Sequence, residues 1–66
     1  MKSPLLQFFE YSHLPLNLQE ISRPFYEFVH FMESKLPENA EKSTFLRKFL
    51  EAKDCAVRAA IFKDSV

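Results

Sequence analysis

The sequence predicts an all-α chain: a short N-terminal helix, then a long antiparallel helical hairpin, assembled as a homo-oligomer. Three observations carry this expectation. Residues 39–62, NAEKSTFLRKFLEAKDCAVRAAIF, contain no Gly or Pro and are rich in strong helix formers, enough for about six turns. Apolar residues recur at helical spacing on both sides of Pro37-Glu38, and helices joined by so short a link fold back antiparallel. Finally, 47% of the 66 residues are hydrophobic, with eight Phe and two Tyr. Two or three short helices cannot enclose ten aromatic rings, so another subunit, a partner or a ligand has to cover the surplus.

Each element has its own local reason. Ser3-Pro4 reads as an N-cap followed by proline in the first turn, which predicts a short helix over 4–10. YSHLP, residues 11–15, is a break, because Pro15 pushes Leu14 toward extended geometry and starts the next segment. A helix is predicted over 15–36, kinked or restarted at Pro24, with Ser22 as the cap of the restart. Its apolar face is Leu18, Ile21, Phe25, Phe28, Val29, Met32 and Leu36, with Tyr26 and Phe31 off that face.

The last helix is predicted over 39–63, capped by Asn39 and with Glu41 at the positive end of its dipole. Leu46, Phe49, Leu50, Val57, Ala60 and Ile61 form its apolar stripe. Thr44, Arg47, Glu51, Asp54 and Arg58 form a charged face, with Arg47–Glu51 and Asp54–Arg58 as i,i+4 pairs. Lys42 and Lys53 flank the stripe, where their stems would run along it. Asp64 to Val66 are expected to fray. The whole chain reads as one domain, residues 1–66, without repeats or low-complexity tracts.

Charge and composition exclude several functions. The net charge is zero, with three Lys/Arg against five Asp/Glu in residues 1–38 and six against four in residues 39–66. That asymmetry is too weak for a duplex nucleic-acid binder. No apolar run approaches membrane-spanning length and no signal-peptide pattern opens the sequence, so no membrane partner is expected. Cys55 is the only cysteine, and the combination points to a cytoplasmic protein.

Catalysis is poorly supported. The chain has no glycine and hence no Gly-rich phosphate loop. His13 and His30 lack metal-ligand spacing and Cys55 has no CxxC partner, so no cofactor, metal or catalytic residue is expected. A lone helical Cys is ordinarily a small buried hydrophobe, and His30 in FVHFM an ordinary packed helix residue. The connector is more informative. Tyr11, His13 and Arg23 fall at the two breaks, where a tyrosine face can stack on a nucleobase and an Arg can fork phosphate oxygens. Arg47 and Arg58 of the last helix could bind phosphate around a symmetry axis. By composition alone the plainer readings are favoured: a core Tyr11, a solvated Arg23, and a charged face held by its own pairs.

YSHLPLNLQEISRPFYEF followed by LPENAEKSTFLRKFLEAKDCAVRAAIF resembles the small phage-encoded helical-hairpin proteins that act as anti-CBASS cyclic-nucleotide sponges. One class of anti-Thoeris proteins carries a similar hairpin. The resemblance covers about residues 9–62 and lies in Tyr-x-His-x-Pro, Gln19, Ser22-Arg23-Pro24-Phe25, and the run Pro37, Glu41, Leu46, Lys48, Glu51-Ala52. It departs at Lys53-Asp54 and Val57-Arg58, where apolar or amide residues are expected. It implies a compact hexamer that holds cyclic di- or trinucleotides between subunits without cleaving them, in the cytoplasm of the host cell. Tyr11 would stack on a base and Arg23 would hold phosphate. Arg58 is the nearest candidate for a second, trinucleotide site. The alternative from another class is a small helical module that binds a host protein.

Overall fold

The computed structural model describes residues 4–62: a 3-10 helix, Pro4–Phe9, then α1, Leu16–Lys35, and α2, Ala40–Ile61. The expected caps at Ser3, the last residue of the 39–63 helix and the fraying end at 64–66 lie outside the described residues. No helix among them is long and apolar enough to cross a membrane.

Cross-contacts fix the direction of the pair. Lys42, in the first turn of α2, reaches Glu33 and Leu36 at the end of α1. Phe49, two turns further on, meets Phe25 and Phe28, which lie earlier in α1. The helices are therefore antiparallel. The 3-10 helix closes the core, with Phe9 stacked on Phe49 at 5.7 Å. Six residues of 3-10 helix would be marginal alone, and burial of Leu6 and Phe9 is what holds them.

Leu6, Phe9, Val29 and Leu46 form the buried core, flanked by Leu5, Phe25, Tyr26, Phe45, Phe49 and Leu50. Phe49 is its hub and touches the rings of Phe9, Phe25, Phe28 and Phe45. The chain measures 39 × 25 × 16 Å, so its shortest extent is little more than one helix diameter. A slab that thin has few interior positions. Phe8, Leu16, Phe28, Phe31, Ile61 and Phe62 accordingly stay exposed, Leu16 at 80% and Phe62 at 66%.

Several local expectations need correction. Of the kink or restart expected at Pro24, the restart does not form: α1 runs through Pro24 as one helix, and Ser22 is not a cap but 1% exposed, facing the core one helix-face repeat before Val29, with its hydroxyl unpartnered. Proline removes a single backbone donor, and docking of the whole apolar face outweighs that local loss. Ala60 and Ile61 belong to the predicted stripe but are exposed, because α2 runs further beyond Phe49 than α1 runs before Phe25. The Arg47–Glu51 and Asp54–Arg58 pairs do not form among the described residues. Asp54 instead pairs with Lys53 at 2.9 Å, and Arg58 donates to Cys55 Sγ at 3.2 Å.

Lys42 departs furthest from expectation. Only 4% exposed, its ammonium donates to the Glu33 carboxylate (3.0 Å), the Glu38 carboxylate (2.6 Å) and the backbone carbonyls of Glu33 and Leu36 (both 3.2 Å). It satisfies carbonyls that the end of α1 leaves without intrahelical donors. Asn39 Oδ1 accepts from the Lys42 amide at 2.8 Å, so the cap of α2 and the seal on α1 meet at one residue.

Candidate functional site

The connector between the 3-10 helix and α1 has a defined path. The Leu14 amide donates to the Tyr11 carbonyl at 3.0 Å and closes a turn over Tyr11 to Leu14. Pro15 then offers its carbonyl to the amides of Leu18 and Gln19, both at 2.9 Å, which starts α1 without a side-chain cap. The Gln19 side-chain amide reaches back and donates to the carbonyls of Leu14 (2.8 Å) and Ser12 (3.4 Å). One helical side chain thus ties the connector onto the first turns of α1.

That tie sets Tyr11. Its ring meets Tyr26 edge-to-face, with centroids 5.2 Å apart and planes at 71°, and Tyr26 packs on His30 at 4.4 Å. Tyr11 is left half-buried on the wall of an open concavity of ≈ 370 Å³, which Leu16, Gln19, Glu20 and Arg23 complete. The size falls at the small end of small-molecule sites. Leu16, Gln19, Glu20 and Arg23 occupy the i, i+3, i+4 and i+7 positions of one helix face, so α1 supplies one wall and the connector the other.

Arg23 is solvent-exposed and donates through Nε to Glu27 at 3.1 Å. That hydrogen bond, then the charge of Glu27 and the neighbouring Tyr11, raise its pKa above the ordinary arginine value. The guanidinium stays cationic, but a phosphate entering here competes with Glu27 for it. Glu27→Gln removes the competing charge, and exposed pairs of this kind are worth little. Affinity for a cyclic dinucleotide is expected to rise by up to about fivefold in a calorimetric titration. An unchanged or weaker affinity would show that Glu27 does not compete.

The sequence candidates separate in space. Tyr11 and Arg23 share the concavity. His13 lies exposed on the connector turn and is not among the lining residues. Arg47 and Arg58 are exposed on α2 and do not line it either. His30 is half-buried against Tyr26, with Nε2 unpartnered. Leu16 and Glu20 were not singled out from the sequence. Their 16, 19, 20, 23 spacing with Gln19 and Arg23, which places the four on one helix face, is the signal the sequence carries for them.

A second concavity, of ≈ 250 Å³, is apolar and lined by Pro24, Phe25, Phe28 and Phe49. Among the described residues no group of three or more His, Cys, Asp or Glu gathers as a metal site would require. Comparison with protein families, with curated proteins and with solved structures gives no match to this chain.

Proposed function

We propose that this chain is a phage-type immune-evasion protein that sequesters cyclic oligonucleotide messengers, cyclic dinucleotides first among them, without cleaving them. In this reading it works in the host cytoplasm as a homo-oligomer, a hexamer in the form the resemblance implies. The observation that carries the reading is the convergence of Tyr11 and Arg23 on one concavity. An aromatic face with a cation a short reach away suits a nucleotide, whose base stacks while its phosphate takes charge-assisted hydrogen bonds. The concavity is open, which fits a ligand whose remaining surface is closed over by a second subunit. Sequestration requires neither a nucleophile nor a metal.

The exposed Phe8, Phe28 and Phe31 and the apolar groove at Phe49 support assembly, since apolar surface on this scale calls for a cover. The same groove is the observation that favours the second reading, a helical module on a host protein. Light scattering and calorimetry separate the two. Sequestration predicts an oligomer at micromolar concentration and saturable binding of at least one cyclic oligonucleotide. A folded 7.8 kDa monomer that binds none of a panel would contradict it and favour the interaction module.

A further inference from the structure

The concavity beside Tyr11 is not uniform in its hydrogen-bonding character. Arg23 is a donor, and it lies toward Glu27. Gln19 has committed its side-chain N–H groups to the connector carbonyls, which leaves its Oε1 as an acceptor. Glu20 is exposed, lines the concavity and forms no ion pair among the described residues. An ionised carboxylate only accepts, and it has two oxygens with which to do so. Leu16, four residues before Glu20 and 80% exposed, adds an apolar side chain on the same helix face. Apart from Arg23, then, the α1 wall pairs an apolar surface with acceptors.

We infer that Glu20 reads the base of the bound nucleotide and selects guanine. The inference rests on the sequestration reading and adds to it the identity of the base. For a base stacked on Tyr11, the acceptors that the lining of the concavity offers to its edge are Gln19 Oε1 and the Glu20 carboxylate. Guanine alone among the common bases carries two adjacent donors on its Watson–Crick edge, N1–H and the N2 amino group. Both can point at one carboxylate as a pair of parallel, charge-assisted hydrogen bonds. Adenine offers one donor beside the N1 lone pair, and cytosine one donor beside the N3 lone pair. In either case a lone pair would face a carboxylate oxygen, so that one of the two hydrogen bonds is replaced by an acceptor set against an acceptor. Uracil presents a single donor between two carbonyls. The wall therefore discriminates by repulsion as well as by attraction.

The test is a calorimetric titration of the full chain with cyclic di-GMP and, separately, with cyclic di-AMP. The parent should prefer cyclic di-GMP by about tenfold to a hundredfold, the discrimination typical of one bidentate base contact. Glu20→Gln replaces one acceptor with a donor at constant shape on an exposed helix position. It should abolish or reverse that preference while light scattering shows the parent oligomer. Equal affinity of the parent for the two ligands would overturn the assignment of guanine and leave sequestration standing. A preference that survives Glu20→Gln would overturn the role of Glu20. Failure of both ligands to bind would overturn the inference, and sequestration would fall with it only if the wider panel of cyclic oligonucleotides also fails to bind.

Discussion

Lys42→Met is expected to lower the melting temperature by roughly 15 °C or more, the scale for breaking a buried ion pair in a domain of this size. The substitution keeps most of the aliphatic stem but removes the ammonium. The Glu33 side chain, only 10% exposed and with one carboxylate oxygen already unpartnered, would then have no cation. The carbonyls of Glu33 and Leu36 would lose their donor in the same step. A melt followed by circular dichroism measures the effect. Glu33→Gln in the Lys42→Met background should recover part of the loss, because it removes the stranded charge. Glu38→Gln alone should cost far less, since Glu38 is 68% exposed. A melting temperature for Lys42→Met within a few degrees of the parent would show that the cradle seals nothing.

The same cradle predicts the pH dependence. The Glu38 hydrogen bond raises the pKa of Lys42 against the opposing effect of burial, and Glu33 adds to the rise. A folded-state value above the unfolded one means that this contribution is complete below the ordinary lysine range. It is lost as pH climbs through the raised value. The hydrogen bond from Lys42 lowers the pKa of Glu38, so that contribution is complete above the ordinary glutamate range and is lost as pH falls through the depressed value. Neutral pH lies on the plateau between the two.

Tyr11→Ala is expected to weaken cyclic-nucleotide binding by about tenfold to a hundredfold, from the roughly 1–3 kcal/mol that an aromatic–base stack contributes. Tyr11→Phe should bind nearly as the parent does, because the ring and its edge contact with Tyr26 remain and only the hydroxyl goes. Arg23→Ala should lose a comparable factor through the phosphate. Arg58→Ala should spare dinucleotides, since Arg58 does not line the concavity. Each variant has to retain the parent oligomer, as loss of assembly would mimic loss of a shared site. Parent-like affinity in both Tyr11→Ala and Arg23→Ala would remove the pocket from the connector and direct attention to the basic residues of α2.

The hairpin was legible in the sequence because its signals are local and periodic. Asn39 before a Gly- and Pro-free stretch fixes the start of α2, and its side chain does accept from Lys42. The seal at Lys42 was harder to read. Its spacing places it beside the apolar stripe, and Glu33 lies across the turn, where pairing depends on how the helices dock. The Glu38–Lys42 i,i+4 spacing was the one local hint. Of the two alternatives at Pro24, the restart capped by Ser22 is the one that fails, since tertiary packing carries the helix through. The meeting of Tyr11 with Arg23 depends on the Gln19 tie, a side-chain contact to loop carbonyls that no periodicity encodes.

The measurement closest to the central claim mixes excess protein with a cyclic dinucleotide, filters off the free ligand, then heat-denatures the retained protein and analyses what it releases. Sequestration predicts that the nucleotide leaves the filtrate and returns chemically intact, in an amount that does not fall with incubation time. A panel of cyclic oligonucleotides, cyclic di-GMP included, all of which stay in the filtrate, or linear product that accumulates with protein and time, would contradict it.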